Sequence, residues 1–300
     1  MSVAELEARE VQLEQGGGGL WADAWRRLKR NGGFWVGVVL VGVFVLVALL
    51  APVLAPYGPR EGLGLSQAFD GPSREHWLGL DELARDELSR IIYGARYSLI
   101  IGVVSVSVGL SIGLVLGATA GYLGGWVDTV IMRSMDVMLS IPGFLMAVGI
   151  VALLQPGLWQ IMVAVGVVNV PIFARLLRGS VLAQRENDFV LAARAIGVPR
   201  RTILSSHILP NAVSPVIVQG TLALATAIID VAGLGFLGLG PQDPATPEWG
   251  TMLSGVNRYF QSGPHLALAP GFAIVVSVLG FNLIGDALRE ALDPKLRGRA

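Results

Sequence analysis

The 300-residue sequence contains no cysteine, which excludes disulfide bonds, thiolate metal ligands and cysteine nucleophiles. Charged residues are also scarce: they make up 15% of the chain, whereas soluble globular domains carry about a quarter. That is too little charge to cover a water-facing surface. Lysine occurs only at Lys29 and Lys295, and neither follows the glycine-rich run of a phosphate-binding loop. The sequence therefore offers no recognisable nucleotide site of its own.

Apolar residues dominate the sequence instead. They make up 53% of the chain, and the mean hydropathy is +0.63. Windows of about 18 to 20 apolar residues, the length at which a helix crosses the hydrocarbon core, recur along the chain. They predict an all-α, polytopic membrane bundle of about six transmembrane helices, at residues 34–55, 97–121, 137–154, 158–177, 212–240 and 267–284.

Positive charge is distributed unevenly over the connecting segments. Lysine and arginine in short loops keep those loops on the cytoplasmic side. Here they are concentrated before the first span, before the fifth span and after the sixth, whereas the loop after the first span is rich in acids. The distribution predicts that both termini are cytoplasmic. The residues concerned are Arg26, Arg27, Lys29, Arg30, Arg178, Arg185, Arg194, Arg200, Arg201, Arg289, Lys295, Arg297 and Arg299.

The second predicted span carries a small residue at every fourth position. Such a stripe lets the backbone of another helix approach closely, which favours a packing role within the bundle. Lining of a translocation path is the alternative. The stripe consists of Ser105, Gly109, Gly113, Gly117 and Gly121.

The stretch DFVLAARAIGVPRRTILSSHILPN, residues 188–211, separates two apolar spans on the predicted cytoplasmic side. Asp188 is expected to cap a helix, because its carboxylate can accept the free amide hydrogens of the first turn. Gly197 fits the left-handed position that follows a helix. Between them, apolar residues at i, i+3, i+4 and i+7 predict one apolar face, formed by Phe189, Ala192, Ala193 and Ile196.

The same stretch predicts a second short helix. Pro199 suits its first turn and Pro210 is expected to close it. A short cytoplasmic helix is marginal alone, so its apolar face must be buried. It either folds back onto the ends of its own spans or is offered to a soluble partner, and the residues alone leave both open.

The stretch resembles the cytoplasmic loop of ABC-importer permeases, whose pattern is Glu-Ala-Ala, three residues, Gly, nine residues, Ile, one residue, Leu-Pro. Aligned on Gly197, this chain has Leu191-Ala192-Ala193 before the glycine and His207-Ile208-Leu209-Pro210 after it. The alanine pair, the glycine and Leu-Pro match at the right spacing. Leu191 replaces the acidic residue, and His207 replaces the isoleucine.

Four further stretches are similar to the second permease of dipeptide, oligopeptide and nickel importers, so the resemblance spans roughly residues 30–298. The first is HWLGLDELARDELSRIIYGARYSL, in which Ala84 stands where the family usually has glycine. The others are MRSMDVMLSIPGFLMA, DVAGLGFLGLGPQDPATPEWGTML and FNLIGDALREALDPKLRGR.

The resemblance implies that the helix after Asp188 is a coupling helix, which docks in a groove of an ATP-hydrolysing subunit. The apolar anchor would be Ala192, Ala193 and Ile196, with Gly197 setting the angle and Arg194 making a polar contact. The full set of residues expected to couple the chain to the ATPase is Asp188, Ala192, Ala193, Arg194, Ile196, Gly197, Leu209 and Pro210.

The resemblance also implies a multi-pass subunit of the bacterial cytoplasmic (inner) membrane. Its partners would be a second permease in a heterodimer, two ABC ATPases, an extracytoplasmic solute-binding protein and membrane lipid, with no nucleic acid. ATP and Mg would be bound by the partner ATPases, so this chain would be a transport subunit without a cofactor and not an enzyme. His76, His207 and His265 are scattered along the chain, so no metal site is predicted.

The predicted organisation has five parts. Residues 1–33 form a cytoplasmic tail and residues 34–55 the first transmembrane helix. Residues 56–96 form an external loop, and residues 97–287 the permease core with its coupling segment at 186–210. Residues 288–300 form a second cytoplasmic tail. Dipeptides or oligopeptides are the expected cargo, with nickel or another small solute as an alternative; an ion-coupled secondary transporter is the rival class.

Two further features leave their roles open. Asp230 lies inside the fifth span, where a charge is costly and indicates a functional site. It either touches the amine of a peptide or a gate, or has a structural role. In the structural role it is solvated near the outer end of the span or forms a hydrogen bond with the backbone at the GLGFLGLG break. The segment PQDPATPEWG is expected to face outward, with Trp249 as an interfacial aromatic. It either receives the binding protein or forms a stiff external loop.

Overall fold

The computed structural model describes residues 20–243, 246–258, 260–261 and 263–292. Within these ranges the regular secondary structure is helical, apart from two isolated β-bridges that join Gly62 to Arg85 and Leu80 to Asp86. The longer helices are α1 (Leu20–Arg30), α2 (Gly32–Leu54), α3 (Glu87–Leu123), α4 (Gly125–Leu139), α5 (Gly143–Leu154), α6 (Leu158–Arg185), α7 (Asp188–Ala195), α8 (Ser214–Leu234) and α9 (His265–Leu292). Short helical turns lie at Leu65–Gln67, Arg200–Thr202, Ile203–Ile208, Leu209–Ala212, Gly235–Leu239, Trp249–Met252 and Val256–Arg258.

Five helices are long and apolar enough to cross a membrane: α2, α3, α6, α8 with the turn that follows it, and α9. The pair α4 and α5 also qualifies, but it is bent by 89°. The predicted third span over residues 137–154 therefore starts at the end of α4, passes through the bend and continues along α5. Pro142 stands immediately before α5, where its ring and missing amide hydrogen prevent the helix from continuing through it.

The ends of several helices also differ from the prediction. Helix α3 begins at Glu87, ten residues before the predicted start at residue 97. Helix α6 continues to Arg185, so Arg178 lies inside a helix and not in a loop. Part of the predicted N-terminal tail forms α1, whose Ala24 and Leu28 are buried in one apolar cluster with Ala287 and Ala291 of α9. Residues 1–19 and 293–300 of the predicted tails lie outside the described residues.

The most extensive helix contact in the bundle joins α3 to α6 through the predicted stripe of small residues. A Cβ atom added at Gly113 would lie 2.5 Å from the Cβ of Phe173, and one at Gly117 would lie 2.5 Å from the carbonyl oxygen of Ala174. A Cβ at Gly109 would lie 2.6 Å from the carbonyl oxygen of Gly166. These distances are too short for any side chain, so the stripe packs two backbones together and the packing prediction is confirmed.

Two ion pairs join α4 to α6 near the end of the bundle that carries α7. Arg178 donates from Nη2 to Asp128 Oδ2 at 2.6 Å, and Arg175 pairs with Asp136. These ion pairs hold α4 against α6, and they therefore fix the direction of α4 at the point where the chain bends into α5.

The opposite end of the bundle is covered by a folded loop. Asp86 caps α3 by accepting hydrogen bonds from the Ser89 amide at 2.8 Å, and its other oxygen lies 2.9 Å from His76 Nδ1. Asp81 forms buried ion pairs with Arg85 and Arg90. Ala84, which takes the place of the glycine expected from the family resemblance, has a φ of 56°. That is the left-handed conformation in which glycine has the least steric cost, so Ala84 occupies a strained position.

The expectation that Trp249 lies at the membrane interface is wrong. Its side chain is fully buried, and the indole Nε1 donates to the carbonyl oxygen of Ile91 at 3.1 Å. Its ring meets Phe44 edge to face, and a Cβ at Gly94 would lie 2.6 Å from the indole. The aromatic ring therefore ties the 246–252 segment to α2 and α3, because the missing side chain of Gly94 leaves room for it.

Glu248 fixes the same segment from its neighbouring position. Its carboxylate caps the turn Trp249–Met252 by accepting from the amides of Gly250 and Thr251, each at 2.8 Å. Burial raises the pKa of this carboxyl, and the hydrogen bonds from the turn oppose that effect only in part.

Candidate functional site

The candidate site is the linker, residues 186–210, which connects α6 to the chain leading into α8. Its first helix, α7, begins at Asp188, but the residue in the N-cap position is Asn187. The Asn187 side chain does not cap the helix and donates instead to Gln184 Oε1 at 2.8 Å. The prediction that Asp188 is the cap is therefore wrong by one residue, although its carboxylate lies in the first turn, where the helix dipole favours negative charge.

Helix α7 ends in a Schellman motif. The amide of Val198 donates to the carbonyl of Ala193 at 3.0 Å, and the amide of Gly197 donates to that of Arg194 at 3.1 Å. Gly197 has a φ of 81°, which confirms the predicted left-handed position. This pair of hydrogen bonds fixes the direction in which the chain leaves α7.

The apolar residues of α7 divide between two sides. Val190 and Ala193 are buried in the main apolar core of the bundle, together with residues of α6 and the turn Ile203–Ile208. Phe189 and Ala192 are exposed, and Ile196 is 82% exposed. The prediction of a single face that includes Ala193 is therefore wrong. With about 100° per residue, Ala193 lies between the two sides, and packing of Val190 turns it inward.

This division is compatible with both predicted alternatives for α7, which were packing against its own spans and exposure to a soluble partner. Val190 and Ala193 anchor α7 on its own bundle, and the outward edge of α7, formed by Phe189, Ala192 and Ile196, remains uncovered within the described part of the chain. Sequence reasoning missed Val190, although its spacing of three residues from Ala193 was a signal for a second buried side.

The second half of the linker is an almost unbroken helical path into α8. Pro199 occupies the N-cap of the turn Arg200–Thr202, so it precedes the turn and does not lie in it. Ile203–Ile208 is a π-helical turn, and Leu209 donates to the carbonyl of Leu204, five residues earlier. Pro210 lies inside the following turn, so the prediction that it ends the helix is wrong. In a π turn the backbone ladder is already shifted, which reduces the cost of the missing proline donor.

The two remaining predicted residues of the linker differ in exposure. Leu209 is half-buried and packs against the main apolar core, whereas Arg194 is exposed at the end of α7. Within the described residues, the Arg194 guanidinium forms no ion pair. The structure thus brings the predicted coupling residues together in one compact segment, with three of them on its outward edge or tip.

Asp230 lies far from the linker, one turn before α8 ends at Leu234. It is half-buried, and no hydrogen bond or ion pair of its carboxylate is present within the described residues. Gly233, one turn further along α8, lies against the ring of Phe144 in α5, because a Cβ there would be 2.8 Å from the ring. The hydrogen bond to the GLGFLGLG backbone that was suggested for Asp230 is absent among the described residues, whereas solvation near the end of the span is compatible with its half-buried position one turn before α8 ends.

The family model for the binding-protein-dependent transport system inner membrane component matches residues 113–298. The chain belongs to this family. A second model, the N-terminal TM domain of oligopeptide transport permease C, matches residues 19–71. The permease therefore combines both parts in one chain.

Individual relatives cover nearly the whole permease. The dipeptide transport system permease protein DppC of Alkalihalophilus pseudofirmus is 48% identical over 277 residues, which is 92% of this chain and 90% of that protein. The glutathione transport system permease protein GsiD of Escherichia coli is 44% identical over 278 residues, 93% of this chain and 91% of that protein.

The architecture matches a solved transporter as well. A chain of the MetNI methionine ABC transporter, in an inward-facing conformation, superposes with a TM-score of 0.55 and 20% identity, over 68% of this chain and 96% of that one. At this identity the likeness shows the fold alone. The predicted family resemblance and the all-α membrane fold are confirmed.

Proposed function

We propose that this permease is the membrane subunit of an ATP-driven peptide importer and that its linker receives the force of an ATPase. One observation carries the proposal: α7 is anchored inward by Val190 and Ala193 while it presents Phe189, Ala192 and Ile196 outward. A helix held on one side and bare and apolar on the other is suited to enter a groove of a partner. The peptide cargo is supported by the two close relatives, which are named for dipeptide and glutathione transport.

The linker would transmit movement in two steps. A partner ATPase grips the outward edge of α7, with Arg194 making a polar contact at its tip. The Schellman turn at Gly197 keeps α7 at a fixed angle to the next segment. That segment runs through Leu209 and Pro210 into α8, so a displacement of α7 reaches a membrane-spanning helix without an intervening flexible loop.

The proposal assigns ATP and Mg to two partner ATPases, so that this chain is a transport subunit without a cofactor or catalytic centre of its own. It places the linker and both termini in the cytoplasm of a bacterial cell, as the arginine distribution favours. A second permease completes the path, and an extracytoplasmic binding protein delivers cargo to the folded loop at the opposite end. Nucleotide binding then shifts the population between inward-facing and outward-facing states.

We also propose that Asp230 faces the substrate path. A carboxylate inside a membrane-spanning helix is costly unless it has a function or a partner, and this one has no partner within the described residues. An anionic group in the path would attract the ammonium group that peptides carry.

The linker proposal is tested by truncating side chains on two sides of the same helix. Ile196 is 82% exposed and lies on the outward edge, whereas Leu191 is 47% exposed and lies on a different side of α7. Burial of an isoleucine side chain in a groove contributes about 1.5–3 kcal/mol, so Ile196→Ala is expected to weaken ATPase association roughly tenfold. Leu191→Ala, the matched control, is expected to change it less than about twofold.

The measurements are co-purification of the ATPase subunits and ATP-dependent uptake of a labelled dipeptide by the complete importer in vesicles. ATPase co-purification and dipeptide uptake should both decrease in Ile196→Ala and should both stay near the wild-type level in Leu191→Ala. If both variants associated with the ATPase and took up dipeptide as the wild type does, the proposal that the linker contacts the ATPase would be wrong.

A further inference from the structure

A second feature of the linker end is a cavity on the inner side of α7. Its volume is about 510 Å³, within the range of small-molecule sites, about 300–1,000 Å³. It lies between the end of α3, the end of α6 and the turn that follows α7. Three arginines from different segments supply its charge: Arg185, Arg194 and Arg200.

No carboxylate lines this cavity among the described residues. Arg194 and Arg200 form no ion pair in these ranges. Arg185 Nε lies 3.7 Å from the exposed Glu186 carboxylate, and this buried nitrogen has no hydrogen-bond acceptor within the described residues. Three guanidinium groups that line one space repel each other, and the planar fork of N–H groups on each guanidinium matches the oxygens of a phosphate group.

The walls of the cavity are held by specific hydrogen bonds. The hydroxyl of Tyr122 donates to the carbonyl oxygen of Arg200 at 2.8 Å, which ties the turn after α7 to the end of α3. Arg185 Nη1 donates to the carbonyl oxygen of Tyr122 at 3.3 Å, at the negative end of the α3 dipole. The site is therefore formed by the folded chain and does not depend on a mobile side chain alone.

The surroundings indicate the source of the phosphate. Leu123, which lines the cavity, is 61% exposed, and Trp126, at the start of α4, is 76% exposed. Leu123 is the last residue of the membrane-spanning helix α3, and Trp126, which does not line the cavity, follows it by three residues. Exposed tryptophan near such a helix end is typical of the boundary between lipid tails and headgroups. An apolar and aromatic segment next to a cationic cavity suits a molecule with an anionic headgroup and acyl chains, whereas free phosphate would gain nothing from that segment.

We propose that the cavity formed by Arg185, Arg194 and Arg200 binds the phosphate of an anionic phospholipid. Such a lipid would connect the end of α3, the end of α6 and the turn after α7 through one charged group. This binding site goes beyond the transport function and does not rest on it, because lipid binding is measured without cargo or ATP.

The test measures binding of phosphatidylglycerol to the complete importer, purified in a neutral detergent, by native mass spectrometry. Arg200→Gln removes one guanidinium group from the cavity. Arg201→Gln, the matched control, removes the neighbouring exposed arginine, which does not line it. Loss of a charged hydrogen bond is expected to weaken binding about tenfold or more in Arg200→Gln, whereas Arg201→Gln should change it less than about twofold.

Further arms separate this lipid from other occupants. Arg185→Gln should weaken phosphatidylglycerol binding like Arg200→Gln, and it carries the test where Arg200→Gln does not assemble. Phosphatidylcholine should not compete. Equal losses in Arg200→Gln and Arg201→Gln would overturn the proposal in favour of diffuse surface charge, and displacement by millimolar inorganic phosphate would overturn it in favour of a free anion. Absence of bound phosphatidylglycerol, with weaker ATPase binding in Arg200→Gln, would assign the cavity to an acidic partner chain.

Discussion

The stripe of small residues between α3 and α6 gives a prediction whose effect on stability can be worked out from the structure. In Gly117→Ala, the new Cβ would lie 2.5 Å from the carbonyl oxygen of Ala174 and 3.1 Å from its Cα. Both are backbone atoms, so no side-chain rotation relieves the contact. An ordinary carbon–oxygen contact requires roughly 1 Å more, and α3 and α6 must separate along their length to provide it.

Two opposing effects determine the expected result. Overpacking of a close contact costs about 1–3 kcal/mol, and here the cost is at the upper end because backbone opposes backbone. Alanine in place of glycine inside a helix stabilises the helix by about 1 kcal/mol. Gly117→Ala should therefore destabilise the permease by about 1–2 kcal/mol, which corresponds to a fall of roughly 3–6 °C in the unfolding midpoint.

The matched control is Gly42→Ala in α2, where an added Cβ meets nothing within 4 Å. This variant keeps the gain in helix propensity without the clash, so its midpoint should equal or exceed that of the wild type. The assay is thermal unfolding of the detergent-purified importer, followed by tryptophan fluorescence. A Gly117→Ala midpoint as high as that of Gly42→Ala would refute the close approach of α3 and α6.

Two other residues give predictions of a different kind. Asp230→Asn is expected to raise the KM for a free dipeptide about tenfold or more, through loss of a charged contact, while uptake of an N-acetylated dipeptide is unchanged; equal effects on both peptides would contradict the amine contact. Because burial raises the Glu248 pKa above its ordinary 4.5, the folded state holds this proton more tightly than the unfolded state, so its contribution to stability is lost as pH rises from 4.5 through the folded pKa. Glu248→Gln should flatten that dependence in midpoints measured from pH 5 to pH 8, and an unchanged slope would contradict it.

The membrane architecture was predictable because span length is set by the thickness of the hydrocarbon core. The bend between α4 and α5 was not, since an apolar run has the same composition whether it is straight or broken by 89°. Pro142 was the available local signal. The buried position of Trp249 depends on Gly94, a residue more than 150 positions earlier in the chain. Because Gly94 has no side chain, the indole of Trp249 can pack against its backbone. Contacts of that range do not appear in a local pattern.

The linker was predicted in outline for a related reason. A Schellman turn is encoded locally, so Gly197 identified the end of α7 correctly. Which side of α7 is buried is a tertiary property, decided by the core that receives Val190 and Ala193. A short helix with apolar residues on more than one side has two candidate faces, and the surrounding helices choose between them.

The two ends of α8 explain how a movement at the linker would be confined to one helix. Ile203–Ile208, before α8, and Gly235–Leu239, directly after it, are both π-helical. A π turn is a local interruption of the α-helical hydrogen-bond ladder and is frequent at functional sites, so we expect bending there and not within α8. Under the proposed function, α8 then tilts as a unit between two compliant turns. Asp230, which lies one turn from the second of them, would change its exposure with that tilt.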